Sequence, residues 1–377
     1  MKRNYGIDLL RIIAMLMIPI LHILGQGGIL ATLPKLSIKY ELAWLLETAC
    51  YCAVNCFALI SGYVGINTKF KYYRGLVLWL QVIFYTLLIT AIFTYTMPNA
   101  ISGETWMKAI TPFSSRQYWY FTAYLTLFLF IPFINLGIHY LSLRQLKALG
   151  ITIIATFSIW ETFSKNDMFM LGNGYSFVWL TALYILGAII QKTEFGFKLN
   201  KITLFFTYSG CIFISWFFRR YFSLHPVKEL DPNLLISYIS PTILIAAISL
   251  LLLCSKLTFK SRLSIRLIKF FSPLAFSVYL IHVHPLIWYY VFNNRFIKYC
   301  SYSGASLMLY VLLTALAIFF LCTTIDFIRQ YLFGLLRINT LCKRLLSFTE
   351  TKETSSSVIA FTTTEEEPRL QHTGSVS

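Results

Sequence analysis

Long apolar runs, separated by short polar stretches, recur along almost the whole chain. A bilayer core about 30 Å thick needs roughly 20 apolar residues in a helix to cross it, and a helix satisfies its own backbone hydrogen bonds in lipid. The pattern therefore predicts an all-α, polytopic integral membrane protein with about ten transmembrane helices. The predicted spans are residues 6–25, 43–63, 75–96, 117–137, 149–163, 175–191, 202–218, 237–254, 272–292 and 304–326.

The pattern changes near residue 345. The segment 346–377 is rich in Ser, Thr and Glu and offers too few apolar side chains to bury a core. Such a composition is typical of disordered segments. We therefore predict a membrane-embedded domain over residues 1–345 and a disordered cytosolic tail over residues 346–377.

The first predicted span carries three ionisable side chains. Asp8, Arg11, Met15, Ile18 and His22 follow one another at steps of three and four, which places them on one face of a helix. The first two lie one turn apart and can pair, and the histidine lies roughly 20 Å further along. Ionisable groups in a span are costly and are therefore functional candidates. The imidazole could act as a general base towards a hydroxyl, or it could simply be satisfied by a hydrogen bond between helices.

Composition and charge agree with a membrane location. The 377 residues are 57% hydrophobic and 12% charged, with a mean hydropathy of +0.67. The net charge of +17 comes from cations dispersed over the loops, which favours orientation by the positive-inside rule over binding of nucleic acid. With a cytosolic N-terminus, 15 Lys and Arg residues fall on inner segments and 10 on outer ones. We expect both termini in the cytosol and the protein in the cell membrane.

Further clusters have two interpretations each. Lys69, Lys71 and Arg74 follow the second span and could hold phosphates or set topology. The aromatic residues around Trp119 could stack on a sugar, but an interfacial aromatic belt is the more ordinary explanation.

The ninth predicted span contains Tyr279, His282, His284 and Pro285, which could form a second wall of the same cavity or a kink with hydrogen-bonded histidines. No His, Cys or carboxylate spacing indicates a metal site. The sequence indicates no role for four further polar residues, which are Glu47, Asn55, Glu161 and Asp326.

Four segments together resemble the acyltransferase family 3 integral membrane proteins. They are GIDLLRIIAMLMIPILH, CFALISGYVG, YWYFTAYLTLFLFIPFIN and FSVYLIHVHPLIW, in that order. Each motif is degenerate, but the ordered set is fairly specific, and the resemblance covers about residues 4–335.

The resemblance implies a ten-helix enzyme that moves an acyl group, usually acetyl, from a cytosolic acyl-CoA to a hydroxyl of a surface glycan or its precursor. Acetyl-CoA would be a co-substrate, and no bound cofactor is expected. His22 would be the catalytic residue, and Lys69, Lys71 and Arg74 would hold the donor. The family commonly has two arginines four apart in that loop, and this chain lacks such a pair.

The remaining candidate substrate-binding residues are Asp8, Arg11, Trp119, Tyr279 and His282. Asp8 and Arg11 are expected to orient the first helix or to line the donor entrance. The alternative function is a non-catalytic transporter of a glycan or a lipid-linked precursor, which buried polar residues and interfacial aromatics would suit as well.

Overall fold

The structure, a computed structural model, describes residues 3–164 and 166–347. The predicted tail therefore lies almost entirely outside the described residues, as do Lys2 and Lys165, which contributed to the charge count. The helices are α1 Tyr5–Leu24, α2 Ile29–Thr32, α3 Ile38–Cys50, α4 Ala53–Gly65, α5 Tyr73–Thr96, α6 Gly103–Ile110, α7 Trp119–Tyr140, α8 Leu143–Ile153, α9 Glu161–Phe163, α10 Phe177–Thr193, α11 Lys201–Leu224, α12 Pro241–Ser255, α13 Arg262–His282, α14 Gly304–Leu335 and α15 Ile338–Leu345.

The predicted fold class is confirmed. Within the described residues there are no strands, and 8 helical segments are long and apolar enough to cross a membrane. Two shorter apolar helices, α10 and α12, occupy the positions of the sixth and eighth predicted spans. The eight long segments and these two together account for all ten apolar runs.

Helix α1 lies at the centre of the bundle and packs against α3, α4, α12, α13 and α14. Its start is fixed by Asn4, whose side-chain oxygen accepts from the N–H of Gly6 at 2.9 Å and whose amide donates to the carbonyl of Ser255 at 2.8 Å. A Cβ atom on Gly6 would lie 1.8 Å from the carbonyl oxygen of Cys254, so only glycine allows this approach to α12. The N-terminal end of α1 is thereby placed beside the C-terminal end of α12.

Two predicted spans have different bounds in the structure. The second span is broken at Tyr51 and Cys52, between α3 and α4. The helix of the ninth predicted span, α13, runs over 262–282 rather than 272–292. The prediction missed its first turns because they carry Arg262, Arg266 and Lys269, and hydropathy alone assigns such residues to a loop. His282 is therefore the last residue of α13 rather than a mid-span residue, and 287–292 forms a separate π-helical turn.

Two of the buried polar residues connect separate helices and segments through hydrogen bonds. The carboxylate of Asp326 in α14 accepts from Tyr85 Oη of α5 at 2.6 Å and from Arg329 Nε at 2.7 Å. Asn55 in α4 donates to the carbonyl of Tyr238 at 2.7 Å and accepts from the Trp179 indole at 3.1 Å. These bonds satisfy groups that would otherwise be costly in an apolar interior.

Candidate active site

A cavity of about 390 Å³ lies in the middle of the bundle, next to the C-terminal half of α1. Three of the five residues that were predicted to share a face of the first helix, Met15, Ile18 and His22, line it. Its other walls come from α3, α4, α7, α13 and the connecting segments. These contribute Glu47, Tyr51, Val54, Phe57, Trp119, Tyr120, Tyr175, Tyr238, Phe276, Tyr279, Val283 and Trp288.

His22 is held by a chain of hydrogen bonds. Its Nδ1 lies 2.9 Å from Nε2 of His282, and Nδ1 of His282 in turn contacts the carbonyl oxygen of Val278. A carbonyl oxygen can only accept, so Nδ1 of His282 carries the proton and its Nε2 accepts from Nδ1–H of His22. In the neutral form, Nε2 of His22 is then unprotonated. The arrangement fixes the tautomer that a general base needs.

Two further groups on the wall of this cavity have no hydrogen-bond partner. They are the hydroxyl of Tyr279 and Oε2 of Glu47, both of which are buried. An unpartnered buried polar group costs free energy unless a ligand or water satisfies it. Tyr279 can donate to a developing oxyanion, and Glu47 can accept from or orient a substrate hydroxyl.

Several aromatic residues at the start of α7 pack inside the protein. Tyr118 is buried and donates to the carbonyl of Leu280 at 2.8 Å, and Trp119 packs against Tyr175 with ring centroids 4.7 Å apart. Other segments of the protein therefore cover part of this end of α7. Trp119 and Tyr120 both line the His22 cavity.

The cations after the second span lie together. Lys69, Lys71 and Arg74 line a cavity of about 160 Å³ with Arg11 of α1. Asp8 pairs with Arg11 at 2.6 Å, as predicted, and also with Arg3 at 2.5 Å. Asp8 does not line this cavity, so its contacts favour orientation of Arg11 over direct contact with a ligand.

A third cavity, of about 220 Å³, has lining residues in common with both and is called the joining cavity below. It shares Arg11, Ser61 and Tyr124 with the basic cavity. It shares Phe57, Tyr120 and Phe276 with the His22 cavity. The lining residues therefore form a continuous series from the basic cavity to the imidazole.

A family model described as "Acyltransferase domain" matches residues 4–326, which is most of the chain. The chain belongs to acyltransferase family 3. A search of curated proteins and a search of solved structures gave no match.

Membership makes the protein an enzyme that transfers acyl groups and argues against the transporter alternative. The four resembling segments of this acyltransferase meet in space, since the first, third and fourth supply His22, Trp119 and Tyr279 to one cavity. The segment CFALISGYVG contributes Phe57 to the same cavity and Ser61 to the joining cavity. Among the described residues, no group of three or more His, Cys, Asp or Glu side chains could hold a metal ion.

Sequence reasoning missed several residues of the acyltransferase cavity. Glu47 was assigned no role, although it is a carboxyl group within a span, the same signal that pointed to Asp8. Tyr51, Tyr238 and Trp288 carried no signal that separates them from other aromatic residues. His284 is buried beside the site but does not line the cavity, and its Nδ1 accepts from the N–H of Leu286 at 3.3 Å.

Proposed function

We propose that this acyltransferase moves an acetyl group from acetyl-CoA to a hydroxyl of a cell-surface polysaccharide or its precursor, with His22 as the general base. The observation that carries the proposal is the series of cavities with shared lining residues between four clustered basic residues and His22. A charged head with a long flexible arm that ends in a reactive group suits this geometry, and an acyl-CoA has that construction.

In this proposal the basic cavity holds the phosphates of CoA. Lys69, Lys71 and Arg74 supply positive charge there, and Arg11 adds a guanidinium that Asp8 orients. Guanidinium and ammonium groups form strong, charge-assisted hydrogen bonds with phosphate. The pantetheine arm passes Ser61 and Tyr124 and brings the thioester into the His22 cavity.

The chemical step needs one base and one donor to the oxyanion. Nε2 of His22 takes the proton of the acceptor hydroxyl as its oxygen attacks the thioester carbonyl carbon. The Tyr279 hydroxyl donates to the carbonyl oxygen as negative charge develops on it. The C–S bond then breaks, the acyl–oxygen bond remains, and the imidazolium returns its proton to the CoA thiolate. Trp288, whose ring lies edge-on to His22 at 4.6 Å, helps to exclude water from the thioester.

Radiolabelled acetyl-CoA tests this function in membranes that contain the full chain. We expect label to appear in the envelope glycan, and His22→Ala to lower transfer by about two to four orders of magnitude. His22→Gln keeps a hydrogen bond but cannot accept a proton near neutral pH, so it should be nearly as poor. A Gln variant with near-normal transfer would reduce His22 to a packing residue, and wild-type membranes that transfer no label would contradict the function itself.

A further inference from the structure

A fourth cavity, of about 250 Å³, lies at the other end of the bundle from the basic cavity. It is formed by α9, the segment that follows it and the segment 231–239 that precedes α12. It shares Tyr51 and Tyr175 with the His22 cavity. The His22 cavity therefore adjoins the joining cavity on one side and this fourth cavity on the other.

This end of the bundle is held by local polar contacts. A π-helical stretch over 154–160 positions Ser158, whose hydroxyl donates to the carbonyl of Ile239 at 2.6 Å. Asp167 accepts from the N–H groups of Leu171 and Gly172, each at 2.6 Å. Partial burial would raise the pKa of the Asp167 carboxyl, but hydrogen bonds with Gly172, Glu161 and Leu171 outweigh that effect and hold the pKa below its ordinary value. Asp167 therefore interacts with the N–H groups of its own loop and with the side chain of Glu161 in α9.

Two polar side chains on the cavity wall have an unpartnered atom. Glu161 is 5% exposed and Thr162 is 4% exposed, and neither Oε2 of the first nor Oγ1 of the second has a hydrogen-bond partner. Both residues line the cavity. A buried carboxyl oxygen and a buried hydroxyl are costly to leave unsatisfied, so their position indicates a ligand that hydrogen-bonds to both.

Aromatic rings separate this cavity from the His22 cavity. Tyr175 and Tyr238 have centroids 5.0 Å apart, and Tyr51 lies 4.9 Å from Tyr238. Flat aromatic faces beside hydrogen-bonding groups suit a molecule with alternating C–H and O–H faces. Among the described residues that line the cavity, the ionisable side chains are Tyr51 and Tyr175 and the carboxyl groups of Glu161 and Asp231. With carboxyl groups and no described basic side chain, the lining disfavours an anion.

We propose that this cavity is the acceptor-binding site, that it takes an uncharged polyhydroxylated molecule such as a neutral sugar unit, and that the acceptor enters from the membrane face opposite to the donor. The acceptor hydroxyl reaches His22 past Tyr51 and Tyr175, while Glu161 and Thr162 hold neighbouring hydroxyls. This inference rests on the proposed function, because it assigns the second substrate of the same reaction.

Kinetics with two matched probes tests the assignment. The full chain is reconstituted in nanodiscs with radiolabelled acetyl-CoA and either methyl β-D-glucoside or its anionic counterpart, methyl β-D-glucuronide. We expect kcat/KM for the glucoside to exceed that for the glucuronide by at least about tenfold. Thr162→Val and Glu161→Gln preserve side-chain volume and should each raise the KM for the glucoside about tenfold, with the KM for acetyl-CoA unchanged.

Sidedness is tested with a cysteine at the cavity mouth. Asn233 is exposed and lines the cavity, whereas Met107 is exposed on α6 at the same end of the bundle and does not. A membrane-impermeant maleimide applied to the face opposite the donor should abolish transfer in Asn233→Cys and spare Met107→Cys. Acetyl-CoA binding should survive in both.

The outcomes separate the two proposals. If the wild type transfers acetyl to the glucoside but Thr162→Val and Glu161→Gln leave its KM unchanged, the cavity assignment is overturned and the proposed function stands. A glucuronide used as well as the glucoside overturns the charge preference. A wild type that transfers acetyl to neither sugar nor to envelope glycan contradicts the proposed function. It then also overturns the acceptor-site assignment, which rests on that function.

Discussion

His282 illustrates how one side chain can set the chemistry of another. It does not line the central cavity, and in the proposed reaction it acts through its 2.9 Å contact with Nδ1 of His22. Because the Val278 carbonyl accepts from the other nitrogen of His282, the direction of both bonds is fixed. The proposed consequence is that Nε2 of His22 faces the substrates without a proton. His282 is a positioning residue in this scheme.

Replacement of His282 tests that role. We expect His282→Ala to lower kcat by about tenfold to a hundredfold, because Nδ1 of His22 loses its acceptor and the tautomer is no longer fixed. His282→Gln can accept from His22 through its amide oxygen and donate to Val278 through its amide nitrogen, so it should recover most of the rate. Steady-state kinetics in nanodiscs, with the KM for acetyl-CoA as the internal control, checks both variants. Equal losses in Ala and Gln would argue against an orienting hydrogen bond.

Among single residues, the sequence indicates candidates where the chemistry is unusual and gives no signal where it is ordinary. His22, Asp8 and Arg11 are candidates because ionisable groups are rare in spans, and the Asp8–Arg11 pair forms as predicted. Tyr51 could not be predicted from the sequence. It lines the cavity because it lies at the break between α3 and α4, and the periodicity of the apolar residues does not indicate that break.

Helix packing depends on two glycines that interlock α4 with α10. A Cβ atom on Gly62 would lie 1.8 Å from the carbonyl oxygen of Tyr184, and one on Gly187 would lie 2.1 Å from that of Leu59. Small residues let membrane helices approach closely, and here each helix supplies one. The contact fixes α4, which carries Phe57 and Ser61 of the proposed donor path.

Gly62→Ala tests this contact. The added methyl group meets backbone, which cannot move aside cheaply, so we expect a loss of about 1–3 kcal/mol or more in stability. The matched control is Gly210→Ala in α11, where a Cβ atom would have nothing within 4 Å. Thermal unfolding in detergent should show a lower Tm for the first variant and an equal or higher Tm for the second. Equal Tm values for the two variants would contradict the packing argument.

The loop between α4 and α5 gives a second test, at the basic cavity. Replacing Lys69, Lys71 and Arg74 with Gln should raise the KM for acetyl-CoA with little change in kcat, because charge that holds phosphate acts alike in the ground and transition states. Arg144, Lys147 and Lys201 are exposed cations at the same end of the bundle and do not line this cavity. Their replacement by Gln is the control for net charge. If both sets of variants behave alike, the loop cations serve topology only.

The sequence predicts where helices occur more accurately than it predicts the residues at which they begin and end. Every predicted span has a helix in the structure, since about 20 apolar residues in succession have few alternatives. The error of ten residues in α13 arose because Arg262, Arg266 and Lys269 lie on a helix that extends to the polar end of the bundle. Long basic side chains can keep their charge at the interface while their helix continues, which a hydropathy window does not register.

The two ends of the bundle differ in the charge of the residues that line their cavities. Arg11, Lys69, Lys71 and Arg74 gather at the end that holds the start of α1, and the carboxyl groups of Glu161 and Asp231 line the cavity at the other end. A membrane enzyme with this polarity can take substrates from opposite faces. The bias of 15 against 10 Lys and Arg residues between the predicted inner and outer segments predicts that the basic end faces the cytosol.

Reporter fusions or site-specific labelling in intact cells test that orientation. Positions near Lys69 and Lys260 should report the cytosol, because they flank the basic cavity and the start of α13, at the same end of the bundle as the N-terminus. Positions near Trp106 and Asp231 should report the external face, since α6 and the segment before α12 lie at the end of the bundle opposite the basic cavity. The ten-crossing arrangement requires the two pairs to differ. If a single pair is split between faces, the arrangement is wrong. If both pairs are exchanged, the arrangement survives, but the positive-inside argument and the cytosolic donor do not.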